Sequence, residues 1–112
     1  MALAAVCAFA VIAPVALGGD SASYPKSANL KQGKILFVAA CGGCHTLAPA
    51  GTKGKKGPNL AEEPSAFAAV VSQITYGGEG MPAFGKGFTR AQIRNIAAYV
   101  AKSTPYSGAR DD

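Results

Sequence analysis

Cys41-Gly42-Gly43-Cys44-His45 sets two thiols three positions apart and an imidazole directly after the second. This spacing is the attachment pattern for c-type haem: each thiol forms a thioether to a porphyrin vinyl group, and the adjacent imidazole reaches the iron as an axial ligand. The cofactor implied is one covalently attached haem c with its iron. Three other chemistries use a CxxC pair. A redox dithiol usually opens a helix after a strand, and no strand-rich segment precedes Cys41. Structural zinc takes four ligands, whereas Cys41, Cys44 and His45 make three and the remaining cysteine, Cys7, lies in an apolar leader. A plain disulfide leaves His45 without a role.

An iron in haem has two axial positions, and the chain holds a single histidine, so a second imidazole within one subunit is ruled out by count. Met1 and Met81 are the only methionines, and Met1 belongs to the leader. Met81 lies 36 residues beyond His45, inside Gly77-Gly78-Glu79-Gly80-Met81-Pro82-Ala83-Phe84-Gly85-Lys86-Gly87, a glycine-rich loop able to fold over the opposite face. A methionine is more commonly core filler. Here the loop setting, the neighbouring Pro82 and the lack of another candidate point to a thioether ligand, so the expected metal ligands are His45 and Met81.

Outward from these motifs the chain reads as helices joined by loops. Asn29 can cap a helix from Leu30 to about Ala40, with Gln32 in the capping-box position. Residues 46 to 58 form a loop by composition, rich in glycine and proline. Ser65 is placed to cap a second helix whose Phe67, Val70, Val71 and Ile74 share one face, with Gly77 as its stop. Thr89 and Gln92 form a capping box for a third, Phe88 and Ile93 a hydrophobic staple, and Ile93, Ile96, Ala97 and Val100 its apolar face, with Pro105 as its end. No strand pattern and no internal repeat is visible. The expected fold class is all-α, three to four helices wrapped around one covalently attached haem.

The 112 residues leave room for one domain. Residues 2 to 17 are apolar and uncharged, too short for an ordinary membrane span, and read as an export signal; no Lys or Arg lies near Met1, so a retained N-terminal anchor is the alternative. The expected layout is residues 1–23 as signal or anchor with a short linker, and 24–112 as the haem domain. Eleven Lys plus Arg against six Asp plus Glu give a formal charge of +5. With no basic helix carrying interleaved aromatics, nucleic acid is not an expected partner. Lys53, Lys55, Lys56 and Lys86 flank the two haem motifs and suit steering onto acidic proteins, against the plainer reading that they only solubilise the chain.

From about Asn29 to Lys102 the sequence resembles class I cytochrome c, nearest to the small soluble mono-haem carriers of bacterial respiration and photosynthesis. The matching stretches are Cys41 to His45, Gly57-Pro58-Asn59-Leu60, Gly80-Met81-Pro82-Ala83-Phe84 and Ile96-Ala97-Ala98-Tyr99-Val100, in family order. The resemblance implies that the Pro58 carbonyl accepts from the Nδ1–H of His45. It also implies that the first and last helices cross with Gly33 against Phe37 and Tyr99. With both axial positions filled by protein, one-electron transfer is the chemistry left. The implied role is a monomeric carrier between redox proteins such as quinol:cytochrome c reductase and a terminal oxidase or photosynthetic complex. Its place would be outside the cytoplasm, in a periplasm, a thylakoid lumen or at the outer face of the cytoplasmic membrane. A membrane-tethered module of a larger respiratory complex is the main alternative. A haem peroxidase is another, disfavoured because no second histidine is present as distal acid or base.

Overall fold

Gly33 decides how the helices meet. A Cβ at this position would press into the backbone carbonyl of Asn95 and stand 3.0 Å from the Cβ of Tyr99, so only glycine allows the two backbones this approach. The computed structural model describes residues 24–63 and 65–104. In it, Gly33 lies in α1 (Leu30–Ala40), which crosses α3 (Arg90–Ser103), while α2 (Phe67–Tyr76) packs on α3 from another side. Phe37 and Tyr99 meet at this crossing with ring centroids 6.1 Å apart, as the family resemblance implies.

The core gathers Phe37, Leu47, Ile74, Ile93, Ile96, Ala97, Tyr99 and Val100. Phe37, Leu47 and Ile96 are fully buried, each contributing roughly 1.5–3 kcal/mol. Residues 96 to 101 of α3 are all buried, not only the stripe that helical periodicity marks. Ala97, Ala98 and Ala101 make this possible, because their short side chains let neighbours close in on several sides of the helix.

Capping follows the sequence at α3 and departs from it elsewhere. Thr89 and Gln92 form both halves of the capping box. At α1, Asn29 accepts from the Gln32 N–H, but the reciprocal bond comes from another helix: the Asn29 N–H donates to Asn95 Oδ1 at 2.9 Å, and Asn95 Nδ2 donates to Gln32 Oε1 at 2.7 Å. One α3 side chain thus completes the cap of α1. The expectation that Ser65 caps α2 is not met. Ala66 holds the cap position with no side-chain bond, and the Ser65 hydroxyl donates to the Glu63 carbonyl instead. Gly77 ends α2 with φ 68°, a conformation favouring glycine.

The all-α expectation also needs correcting. Thr46–Leu47 (β1) pairs antiparallel with Thr52–Lys53 (β2) around a 3-10 turn at Ala48–Ala50. Strands of two residues carry no alternation to read. Among the described residues no helix is long and apolar enough to cross a membrane. The leader with Cys7, and Pro105 with the residues after it, lie outside the described residues.

Candidate haem site

Cys41 caps the end of α1, and the chain then makes one further turn, in which the Cys44 and His45 N–H groups both donate to the Cys41 carbonyl, at 3.1 and 2.9 Å. Positions i, i+3 and i+4 of such a turn fall on one side, so backbone geometry alone gathers Cys41, Cys44 and His45. Both cysteines are free thiols. Burial, with a smaller contribution from Cys44, pushes the Cys41 thiol up to about 11, so it is protonated at neutral pH.

The 46–60 segment is knitted onto this turn. The Thr52 hydroxyl donates to the His45 carbonyl at 2.9 Å and accepts from the Leu47 N–H, while the Thr46 hydroxyl donates to the Gly54 carbonyl. The Gly57 N–H donates to the Cys44 carbonyl at 2.7 Å, and the Leu60 N–H to the Thr46 carbonyl at 3.0 Å. Gly57 forms the seat of the imidazole: a Cβ there would stand 2.5 Å from His45 Cε1. On this seat His45 Nδ1 lies 2.9 Å from the Pro58 carbonyl. A carbonyl can only accept, so Nδ1 carries the proton and Nε2 keeps its lone pair.

Met81 shares no hydrogen bond with that group. Its backbone closes a four-residue turn with Gly78, the two residues exchanging N–H···O bonds of 2.9 and 3.0 Å. The central residues Glu79 and Gly80 have φ 56° and 90°, the sign pattern of a type I′ turn. Met81 packs partly buried against the core, and its sulfur accepts from Gln73 Nε2 at 3.7 Å rather than from the 41–45 turn. Gln73, Thr46 and Thr52 were not singled out by sequence reading. Gln73 sits on the last turn of α2, eight residues before Met81, and only that closeness hints at a role.

This donor set fits a c-type haem. Two reduced thiols and an imidazole with its Nε2 lone pair free share one turn, and Leu60, Phe67, Val70, Val71 and Phe84 keep apolar surface that the core only partly covers. A flat apolar macrocycle suits such surface. The haem, when bound, supplies one-electron chemistry at iron.

The chain is similar to known proteins. The family model described as "Cytochrome C oxidase, cbb3-type, subunit III" matches residues 28–100. Cytochrome c6 of Rippkaea orientalis is 39% identical over 98 residues, covering 82% of this chain and 79% of that protein. Cytochrome c6 of Bumilleriopsis filiformis is 33% identical over 78 residues, covering 65% of this chain and 90% of the relative. The crystal structure of the c-type cytochrome SorU from Sinorhizobium meliloti superposes with a TM-score of 0.64 at 34% identity, covering 67% of this chain and 90% of SorU. The chain belongs to the class I c-type cytochromes and is a mono-haem electron carrier with one covalently bound haem c.

Proposed function

We propose that His45 Nε2 and the Met81 sulfur are the two axial ligands, with Cys41 and Cys44 the thioether positions and Pro58 the residue that orients the imidazole. The observation that carries this reading is the His45 Nδ1 bond to the Pro58 carbonyl. It fixes the ring's tautomer and plane and leaves Nε2 as the donor atom. Met81 supports the reading by sulfur chemistry and by its loop, which returns to the core beside Gln73. With both axial positions filled by side chains, substrate has no route to iron. What remains is electron passage to and from other redox proteins.

Partners and place follow from charge and from the leader. Lys53, Lys55, Lys56 and Lys86 are all exposed. They would steer the carrier onto acidic faces of membrane redox complexes, such as quinol:cytochrome c reductase on one side and a terminal oxidase or photosynthetic complex on the other. Residues 1–23 would direct export and 24–112 would form the working domain, in a periplasm or thylakoid lumen. A tethered module remains the second reading, favoured by one observation: the matching family model describes a subunit of a cbb3-type cytochrome c oxidase. Intact-mass analysis of the native protein separates the two, since cleavage of the leader gives the diffusible form and its retention the tethered one. Stopped-flow association with a reductase across a salt series tests the steering. The rate falls steeply as salt rises if the lysines act, and an unchanged rate refutes it.

A further inference from the structure

We propose that the groove between the start of α1 and the end of α3 binds a phosphate-bearing anion. This groove, of about 480 Å³, brings Leu30, Lys31 and Lys34 of α1 together with Pro49, Tyr99 and Lys102. Three lysines from two helices distant in sequence therefore line one concavity. None of the three has an ion-pair partner among the described residues. Lys31, Lys34 and Lys102 are all exposed, so each can turn towards a ligand.

Tyr99 forms part of the groove wall. The residue lines the groove and is only 7% exposed, and its buried hydroxyl has no hydrogen-bond partner. Because that hydroxyl is closed off from the groove surface, the donors to a bound anion are the three lysines, and Tyr99 contributes the side of its ring. Phosphate fits better than carboxylate. A phosphate monoester carries a charge of about −1.5 to −2 at neutral pH and three acceptor oxygens, enough to meet several of these donors at once. The groove exceeds what a bare phosphate fills, and Leu30, Pro49 and the Tyr99 ring give an apolar wall for an organic ester group. The same phosphate chemistry is offered by a soluble ester and by an anionic phospholipid headgroup. The inference does not depend on which atoms ligate the iron.

The test uses reduced, ¹⁵N-labelled holoprotein, titrated with phenyl phosphate at constant ionic strength and, separately, with vesicles of phosphatidylglycerol or of phosphatidylcholine. A soluble source gives saturable amide shifts confined to the neighbourhood of Lys31, Lys34, Tyr99 and Lys102. A lipid source gives binding to phosphatidylglycerol but not phosphatidylcholine vesicles. In the arm that binds, Lys34→Gln with Lys102→Gln weakens affinity by about tenfold or more, while Lys26→Gln changes it less than about twofold. Shifts scattered over every lysine, equal loss in Lys26→Gln and the double variant, or no saturable response in either arm would overturn the proposal. The wild-type shift map decides the matter even if a variant fails to fold.

Discussion

Around His45 the backbone is tied from several directions: the turn donates into Cys41, Thr52 grips the His45 carbonyl, Gly57 bonds back to Cys44, and Pro58 holds the ring itself. Around Met81 the ties lie beside the residue rather than on it: the Phe84 and Gly85 N–H groups donate to the Ile74 and Thr75 carbonyls of α2 at 2.8 and 3.1 Å. The loop closes on itself through Gly78, puts Glu79 at φ 56° where non-glycine residues are costly, and gives the sulfur one long bond from Gln73. The contrast shows how a small chain divides the work. One proposed axial ligand sits on a platform that holds both its backbone and its ring by hydrogen bonds, and the other lies in a loop that bonds to itself at Gly78 and back to α2 at Phe84 and Gly85.

The contrast breaks most severely if its covalent half is removed. Cys41→Ser with Cys44→Ser should abolish attachment altogether, so that acid acetone extracts all pigment from the variant and none from wild type. Next comes the helix crossing that both regions lean on. Gly33→Leu drives a side chain into the Asn95 carbonyl and should cost at least about 3 kcal/mol, lowering the melting temperature of the holoprotein by about 12 °C or more. Gly57→Ala tests the platform itself: its methyl would meet the imidazole, and a loss of about 1–3 kcal/mol is expected, with the His45 ring resonances moved in the proton NMR spectrum. A milder outcome than for an alanine placed at exposed Gly43, which has open space around it, would contradict the platform account. Smallest is Glu79→Asn, which should stabilise by about 0.5 kcal/mol because asparagine tolerates the left-handed region and Asn-Gly suits a type I′ turn.

Much of this was readable beforehand, and the limits are physical. Cys41, Cys44, His45 and the Thr89 capping box are local patterns, set by spacing along one turn, and local spacing survives folding. The Gly33 crossing and the Pro58 contact came from resemblance, since neither glycine nor proline announces a partner 66 or 13 residues away in sequence. What stayed hidden depends on tertiary neighbours. Asn95 completing the α1 cap, Thr52 clamping His45 and Gln73 reaching the Met81 sulfur each join segments whose approach is fixed only once the helices pack. The Ser65 expectation failed for a related reason: its hydroxyl found the Glu63 carbonyl in the preceding turn, leaving the first turn of α2 without a side-chain cap.

The central claim is that iron is held by His45 on its hydrogen-bonded platform and by Met81 in its glycine-rich loop. Visible spectra of oxidised wild type and Met81→Ala, both made with haem-attachment machinery, test it most directly. The account predicts a sulfur-to-iron charge-transfer band in wild type that vanishes in the variant while the pigment stays covalently bound. The same band persisting in Met81→Ala would show that another group fills that position.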